Sequence, residues 1–529
     1  MLYLDTTDII AQSFHAARFD TLPCKEKPSR KGNRLFIPPR LLHRMAEEAF
    51  HRLAFYLRRS HLDLLAERYH DPQSSANDRF VLRTLLENAG VACKGELALC
   101  QDTGTVVIYG WKDEAVYTGG DDAKELAEGA LDAYQKHHLR ASQVGASSFF
   151  DEYNTATNAP VQIKLHACAA AEKRKCYRFL FIAKGGGSSN KTAFFSLSKA
   201  SLEEEQFSRF LDEQIKALGT NACPPYRLAV VVGGTSPEYN LELLKLATTE
   251  ILDYAPYDGN AWIRRDRYWE ERIMEKGRQS GLGAQFGGTN LLLDARVLRL
   301  PRHAASCPVS IGVSCVAHRN LLGVIDSKGI HLERLCTTAP QYPTLDSQSP
   351  PAFAVNLAPP LSNLCRQLSQ FSVGDRLLLS GELLVARDAA HYEWHRRLKA
   401  GQTLPDYLYR YAIFYAGPSE RPPGKIIGSV GPTTAGRMDR YAEAFLSAGV
   451  SLVTVAKGAR NLQWVDACRR YGGFYLGTVG GAAALMAEQY ITKDTIIDYP
   501  ELGMEAVRLI SVHNLPAVIL IAPQATDAG

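Results

Sequence analysis

The first clear pattern in the chain is a helical one near its start. From residue 38 to residue 70, apolar side chains recur every three or four positions, and charged side chains turn to the opposite face. This spacing is typical of helices that bury one side against a core. The apolar stripe consists of Leu42, Met45, Ala49, Leu53 and Tyr56. We therefore expect a helix-rich region at residues 38–70.

Short strand-like runs then alternate with helical stretches. In the first part of the chain the strand-like runs lie at residues 105–109, 178–183 and 228–232, and a helical pattern covers 240–252. Further along, strand-like runs at 376–385, 425–430, 451–455 and 517–522 alternate with helical patterns at 439–448 and 464–470. Such alternation predicts an α/β fold whose C-terminal part has a largely parallel or mixed sheet.

A change in composition near residue 340 marks a predicted domain boundary. Thr, Pro, Ser, Gln and Asp dominate the segment between Cys336 and Ala352, which also contains two consecutive prolines. This composition is typical of an exposed connection. We predict a larger N-terminal domain at residues 1–340, a linker at 341–352 and a smaller C-terminal domain at 353–529.

Composition and charge narrow the classes of partner. Of the 529 residues, 46% are hydrophobic, which is enough for more than one buried core. The 60 basic and 56 acidic residues are spread along the whole chain, so the formal charge of +4 does not favour a nucleic-acid partner. No apolar run is long enough for a secretory signal or a membrane span. We expect a cytoplasmic protein that binds neither a membrane nor a nucleic acid.

Three of the eleven cysteines lie in unusual surroundings. Cys100, Cys223 and Cys315 each stand at the edge of a predicted element rather than inside one. Thiolates at loop ends can converge on soft metal ions, and iron–sulfur clusters are held in this way. The chain has no close-spaced Cys-x-x-Cys pair, so these residues could equally be ordinary core thiols. Spacing alone leaves both interpretations open.

Four cationic residues stand beside turn signals, namely Arg140, Arg387, Arg437 and Lys457. Guanidinium groups match carboxylates in a bidentate fashion, so such residues at loop ends would suit a substrate with two carboxylates. The alternative is that each is a surface residue in an ion pair. Glycine-rich stretches at 184–191, 285–288 and 472–481 could form anion-binding loops or simply tight turns. None of them has the pattern of a dinucleotide-binding motif.

Taken together and in this order, these segments resemble the class I fumarases, the iron–sulfur fumarate hydratases. The resemblance extends over about residues 38–521. The strings that carry it surround Cys100 and Lys184, or lie at 283–288, 300–303, 387–391, 431–439 and 499–506.

The resemblance implies a [4Fe–4S] cluster held by only three cysteines, which correspond to Cys100, Cys223 and Cys315. Cys307 matches a position that is not a ligand. One iron of such a cluster is left open to act as a Lewis acid on the hydroxyl and one carboxylate of a small dicarboxylic acid.

The resemblance also implies roles for side chains on both sides of the predicted linker. Thr433 would be the base and Asp102 the acid, with His303 nearby. The substrate would be bound by Gln101, Asp102, Arg140, Gly185, Ser188, Asn190, Lys191, Arg387, Thr433, Arg437 and Lys457. The site would then lie in a cleft between the two domains, and the family is typically a homodimer.

Departures from the family pattern leave the substrate open. Thr289-Asn290 replaces a usual Lys-Tyr, Ala304 a common Gly, and Ala482 the usual Pro. Hydration of fumarate is the first expectation, and mesaconate or tartrate is the alternative substrate, because one methyl group changes pocket affinity by only about 1–3 kcal/mol. Two other classes are a cluster-based sensor that binds RNA after loss of iron, and a dehydrogenase; the even charge and the missing dinucleotide motif weigh against them.

Overall fold

The computed structural model describes residues 5–169, 175–338 and 352–523. Of the predicted linker, only Ala352 lies among the described residues, so the domain boundary stays a prediction. The α-helices are α1 (Thr7–Ala16), α2 (Pro39–Phe55), α3 (Arg59–His70), α4 (Ala76–Ala92), α5 (Asp122–Lys136), α6 (Gly186–Ser189), α7 (Glu204–Leu218), α8 (Pro237–Ala247), α9 (Arg267–Gln279), α10 (Leu361–Leu368), α11 (Asp388–Lys399), α12 (Tyr407–Arg410), α13 (Ala442–Ser447), α14 (Leu462–Tyr471) and α15 (Ala483–Leu485).

The strands are β1 (Phe19–Thr21), β2 (Ser29–Lys31), β3 (Arg34–Phe36), β4 (Thr105–Asp113), β5 (Val116–Tyr117), β6 (Val144–Ala146), β7 (Glu152–Asn154), β8 (Gln162–Cys168), β9 (Tyr177–Lys184), β10 (Ala193–Leu197), β11 (Tyr226–Gly234), β12 (Arg264–Arg265), β13 (Leu292–Arg302), β14 (Cys307–Ser314), β15 (Asn320–Asp326), β16 (Gly329–Glu333), β17 (Ala352–Asn356), β18 (Arg376–Val385), β19 (Ile413–Phe414), β20 (Val453–Ala456), β21 (Phe474–Gly477), β22 (Ile491–Asp498) and β23 (Val507–Ile521). Short 3₁₀ turns cover Ala200–Leu202, Ala435–Tyr441 and Pro500–Glu505, and a π turn covers Met486–Tyr490.

The predicted helical region at 38–70 is confirmed as two helices, α2 and α3. The break between them falls where Leu57 forms a β-bridge with Cys336, because an extended residue cannot continue the helix. The apolar stripe of α2 packs, with α5, on a six-stranded sheet of order β1-β16-β15-β9-β4-β8. Leu42, Met45 and Ala49 on this stripe are fully buried, as their spacing predicts.

A second sheet has the order β10-β14-β11-β13-β12 and shares a buried apolar cluster with the first. This cluster includes Val107 and Ile182 of the first sheet and Val231 and Leu298 of the second. The helix after β11 begins at Pro237, as the Ser-Pro-Glu sequence before the helical pattern indicates, and Ser236 accepts a hydrogen bond from the backbone N–H of Tyr239 as the N-cap. The helix ends earlier than the predicted residue 252, at Ala247.

The C-terminal sheet has the order β17-β18-β19-β20-β21-β23-β22 and is mixed, as predicted. Strands β17 to β21 pair in parallel, while β23 pairs antiparallel with β18, β21 and β22 and so closes the sheet on itself. Helices and strands alternate along this part of the chain, which confirms the α/β class. Part of the predicted helix 439–448 is a 3₁₀ turn, which ends at Tyr441 before α13 begins.

The predicted strand at 425–430 is wrong. These residues form a loop whose polar groups bond to other parts of the chain instead of to a neighbouring strand. Ser429 donates from Oγ to the carbonyl of Ala98 at 2.7 Å, and the N–H of Val430 donates to the carbonyl of Ala483 at 3.3 Å. Apolar composition alone therefore misidentified a buried loop.

One core is shared by the two halves of the chain. Leu62, Leu82 and Leu85 of helices α3 and α4 belong to the same buried cluster as Leu379 and Leu383 of strand β18. Burial of a leucine side chain contributes roughly 1.5–3 kcal/mol, so this cluster holds the helical pair firmly on the C-terminal sheet. No helix among the described residues is long and apolar enough to cross a membrane.

Candidate active site

Three loops bring the predicted cluster ligands into one region. Cys100 lies between α4 and β4, Cys223 lies in the turn before β11, and Cys315 directly follows β14. The N–H of Val316 donates to the carbonyl of Cys223 at 3.2 Å, so the second and third of these loops are in direct contact. Cys223 has a positive φ of 61°, a conformation that turns the chain sharply at the thiol.

The loop of Cys100 is tied to the same place through the helix α4. The side-chain amide of Asn88 donates to the carbonyl of Leu99 at 3.0 Å and to that of Gly481 at 3.2 Å. A side chain at the neighbouring Gly480 would meet Sγ of Cys223 at 2.7 Å. The glycine-rich stretch 472–481 therefore lets backbone approach a thiol closely, and this requirement explains the glycine at 480.

Burial governs the acidity of two of these thiols, Cys100 and Cys223. It raises the pKa of Cys100 to about 12, with Asp102, Cys223 and Cys315 adding to the rise and a nearby arginine opposing it. Burial likewise raises the pKa of Cys223. Because Cys223 and Cys315 both add to the rise in the pKa of Cys100, the three thiols lie near one another. Neighbouring cations are needed to favour the thiolate forms of Cys100 and Cys223.

Two cations, a half-buried lysine and a buried arginine, supply that compensation. The ammonium of Lys457 donates to Sγ of Cys223 at 2.7 Å. Burial lowers the pKa of this lysine, but Cys223, Cys100 and Cys315 outweigh burial and raise the pKa above its ordinary value. Arg319, which is 5% exposed, interacts electrostatically with Cys100 and Cys315. A positive charge therefore lies near each of the three thiols.

Asp102 contacts the glycine-rich loop that follows β9. Its carboxylate accepts the N–H of Gly186 at 2.7 Å and that of Gly104 at 3.2 Å. A side chain at Gly185 would come within 3.1 Å of Asp102 Oδ2 and 3.4 Å of Arg319 Nη2. The loop thus approaches the carboxylate closely because it has no side chain there.

The remaining residues of this loop point in different directions. Ser188 is buried and lines a small cavity with Lys184, Thr248, Cys315 and Arg319. Asn190 is exposed, and the ammonium of Lys191 donates to the carbonyl of Ala217 at the end of α7, at 3.1 Å. Gly185 and Ser188 are therefore near the thiols, whereas the described contacts of Lys191 lead away from them.

Gln101 joins the two halves of the chain. Its side-chain amide donates to the carbonyls of Gly431 at 3.2 Å and Pro432 at 3.3 Å. Thr433 follows directly, and its backbone is held because its N–H donates to the carbonyl of Tyr415 at 2.7 Å. The carbonyl of Thr433 accepts the N–H of Lys457 at 3.2 Å. Thr433 is consequently fixed between Gln101 and Lys457.

A cluster of three arginines surrounds Glu505. Arg387 donates from Nη2 to Glu505 at 2.7 Å, while Arg437 pairs with Asp388 at 2.7 Å. Burial lowers the pKa of Arg387 to about 10, and the neighbouring Arg140 and Arg437 lower it further against the effect of Glu505. Arg437 is half exposed and also donates to Thr433 Oγ1 at 3.4 Å. This concentration of positive charge suits an anion.

His303 is not brought to this cluster by any described contact. It lies in the exposed turn between β13 and β14, and its Nδ1 accepts the N–H of Ala305 at 3.1 Å. Its predicted place beside the acid stays a prediction.

Sequence reasoning missed three charged residues of the site. Arg319 directly follows a histidine, and Lys184 precedes the glycines; burial lowers the pKa of Lys184 to about 8. Glu505 lies in the 499–506 string that carried the resemblance. These residues could have been identified from the sequence because each carries a charge within an apolar or glycine-rich segment, where charged side chains are uncommon.

The chemistry of the donors at this site fits the iron–sulfur cluster that the resemblance implies, because such clusters are held by cysteine thiolates. Cys100, Cys223 and Cys315 interact electrostatically, and Lys457 and Arg319 lie close enough to compensate their charge. Among the described residues, no three His, Cys, Asp or Glu side chains gather closely enough to hold one metal ion.

The departures from the family pattern lie away from the arginine cluster. The N–H of Thr289 donates to Asp78, and the amide of Asn290 donates to Ser74, so both residues support the start of α4. Ala304 is exposed beside His303. Ala482 is buried in the core shared by both halves.

Comparison with known proteins yields two family matches and several relatives. Residues 43–323 match the family described as Fumarate hydratase (Fumerase), and residues 329–528 match Fumarase C-terminus. Fumarate hydratase 2 of Leishmania major is 44% identical over 93% of this chain and 87% of its own length. Fumarate hydratase class I, anaerobic, of Escherichia coli is 44% identical over 93% of this chain and 90% of its own. A putative L(+)-tartrate dehydratase subunit beta of Methanocaldococcus jannaschii is 33% identical over 29% of this chain and 81% of its own length.

Proposed function

Since the chain belongs to the class I fumarate hydratase family and is a hydro-lyase, we propose that it catalyses the reversible hydration of fumarate to (S)-malate. The observation that carries the proposal is that Thr433 connects the three neighbouring thiols with the cluster of three arginines. Its hydroxyl accepts a hydrogen bond from Arg437, and its carbonyl accepts the N–H of Lys457, whose ammonium contacts Cys223. The thiols come from the N-terminal half, and two of the arginines come from the C-terminal half. A substrate with two carboxylates could contact both groups at once.

Cys100, Cys223 and Cys315 would hold the [4Fe–4S] cluster through their thiolates. When bound, such a cluster with one open iron supplies a Lewis acid beside the substrate. Lys457 and Arg319 support this assignment because their charges compensate those of buried thiolates.

The arginine cluster would bind the carboxylate that is remote from the thiols. Arg140, Arg387 and Arg437 together exceed the negative charge of Glu505 and Asp388 by one unit. Nε of Arg140 and Nε of Arg387 are buried and have no hydrogen-bond partner among the described residues, so each can donate to an oxygen of a ligand. An unpaired buried donor favours a bound carboxylate.

Proton transfer would involve Asp102 and Thr433. The amides of Gly186 and Gly104 orient the carboxylate of Asp102, which would give or take the proton of water. Thr433 would remove the proton at the neighbouring carbon as an alkoxide, formed when its hydroxyl gives its proton to solvent, and would thereby become a hydroxyl again. Arg437, which donates to Oγ1 of Thr433, would stabilise the alkoxide. Gln101, Gly185 and Ser188 would line the substrate, whereas Asn190, Lys191 and His303 would act only if the loops closed further.

Steady-state assays test the proposal. Protein purified and reconstituted with iron and sulfide without oxygen should interconvert fumarate and malate, with smaller kcat/KM for mesaconate and for tartrate. Absence of turnover with fumarate in protein that contains both iron and sulfide would refute it. Thr433→Val should abolish turnover, whereas Thr434→Val is the matched control because the hydroxyl of Thr434 donates to a backbone carbonyl instead.

Tartrate is the second candidate substrate, and one observation favours it. The tartrate dehydratase subunit beta named above is similar to part of this chain. A kcat/KM for tartrate above that for fumarate would establish this alternative.

We also propose, on the family resemblance, that the chain forms a homodimer. Light scattering during gel filtration should give twice the mass of 58.3 kDa. A single-chain mass at micromolar concentration would contradict this assembly.

A further inference from the structure

Glu505 occupies a central place among the arginines without being part of the proposed chemistry. It ends the 3₁₀ turn Pro500–Glu505, just before β23. One carboxylate oxygen accepts Nη2 of Arg387 at 2.7 Å, and the other accepts the N–H of Ala389 at 2.9 Å. A single carboxylate therefore binds both the side chain that precedes α11 and the first turn of that helix.

The surroundings of Glu505 keep it charged. Burial raises the pKa of this carboxyl, but Arg387, Arg140 and Arg437 together hold it below its ordinary value. The guanidinium of Arg387 is also confined on its other side, since a side chain at Gly417 would meet Nε at 2.9 Å. The guanidinium of Arg387 is thus held between the carboxylate of Glu505 and the backbone of Gly417, which leaves it little freedom to rotate.

We infer that Glu505 is a positioning residue that fixes the Arg387 guanidinium, so that its remaining donors face one carboxylate of the substrate. The inference rests on the proposed function, because it assumes that Arg387 binds a dicarboxylic acid. An arginine held in place in advance loses less conformational freedom on binding, and this raises affinity. Glu505 also cancels part of the arginine charge, which limits repulsion among Arg140, Arg387 and Arg437 before the substrate arrives.

A purely structural role would have a different signature. The bond from the N–H of Ala389 needs only an oxygen acceptor, and a glutamine would supply one. The bond from Arg387 gains much of its strength from the negative charge, which a glutamine lacks. Glu505→Gln therefore separates support of the helix from positioning of the arginine.

The experiment compares Glu505→Gln, Glu505→Ala and the control Glu501→Ala in reconstituted enzyme. Glu501 is an exposed acid in the same 3₁₀ turn, so its loss tests a general effect of removing negative charge. For Glu505→Gln we expect an unchanged thermal midpoint and a KM raised roughly tenfold, in line with the loss of a charge-assisted hydrogen bond. Glu505→Ala should raise KM further and lower the thermal midpoint, and Glu501→Ala should change neither.

A KM in Glu505→Gln equal to that of the control would overturn the inference, and so would a rise in KM matched by an equal fall in thermal midpoint. Calorimetric titration with succinate, an unreactive four-carbon dicarboxylate, separates this result from failure of the proposed function. If the unmodified enzyme does not hydrate fumarate but binds succinate, weaker binding in Glu505→Gln still supports the positioning role. If the unmodified enzyme does not bind succinate, the inference fails.

Discussion

The ammonium of Lys457 lies 2.7 Å from Sγ of Cys223, although the two residues are 234 positions apart in the sequence. Cys223 precedes β11 in the N-terminal half, and Lys457 follows β20 in the C-terminal half. The contact therefore exists only when the two halves are assembled. It makes the charge state of a proposed cluster ligand depend on the C-terminal sheet.

Replacement of Lys457 by methionine should reduce both cluster content and activity. The change removes the cation that favours the thiolate of Cys223, so reconstituted protein should contain less iron and sulfide per chain. We expect kcat/KM to fall by roughly 100-fold or more, as for loss of one preorganised electrostatic group. Lys493→Met, at an exposed lysine of β22, is the control. Normal iron, sulfide and turnover in the Lys457 variant would disprove this dependence.

Serine substitution of the cysteines tests the ligand set. Cys100→Ser, Cys223→Ser and Cys315→Ser should each abolish the visible absorbance of the cluster and the activity, because three thiolates leave no spare ligand. Cys307→Ser should leave both largely intact, since Cys307, which is buried in β14, matches a family position that is not a ligand. Absorption spectra and iron analysis of anaerobically prepared protein decide the matter. Equal losses in all four variants would show that the assignment is wrong.

Arg319→Met should weaken retention of the cluster. Arg319 opposes the effect of burial on the pKa of Cys100 and interacts with Cys315 and Asp102. Without it, the thiolates become less favourable, and iron and sulfide should be lost faster on exposure to a chelator. Activity should fall roughly 10–100-fold, as for other residues that support metal ligands. Arg334→Met, at an exposed arginine, is the control, and identical rates of iron loss in both variants would count against this role.

Stability should fall as the pH decreases below about 6.5, in part because of His391. Burial lowers the pKa of this histidine from its ordinary value of 6.5 to about 4 in the folded chain. Between these two values the unfolded chain binds more protons than the folded chain, so acidification favours unfolding, by up to about 3 kcal/mol for this group. The contribution of neutral His391 to the free energy of unfolding is therefore complete above pH 6.5 and is lost as the pH falls toward 4.

Thermal unfolding at pH 7.5, 6 and 5 checks this expectation. His391→Asn should show a smaller decrease of the midpoint with falling pH than the unmodified protein. His70→Asn, at an exposed histidine, should retain the full decrease. The same pH dependence in both variants would exclude His391 as a contributor.

The sequence identified much of what is local. The apolar spacing at 38–70 predicted α2 and α3, and residues 376–385 coincide with β18. A helix or strand that buries one face repeats its apolar residues at a fixed spacing, so the sequence reveals such an element directly. The resemblance to the class I fumarases is confirmed by the family matches. The motif strings also contained most of the residues that the structure brings together at the site.

The pairing of groups that are distant in sequence was decided only by the tertiary structure. No local period reveals that Lys457 reaches Cys223, that Glu505 holds Arg387, or that residues 425–430 bond to the N-terminal half. The contacts of Lys457 and of residues 425–430 form only when the two halves of the chain pack together, with α3 and α4 against the C-terminal sheet. The contact between Glu505 and Arg387 forms within the C-terminal half. The packing of these elements depends on the combined burial of many side chains. No single position of the sequence reveals the stabilisation that this burial gives in total.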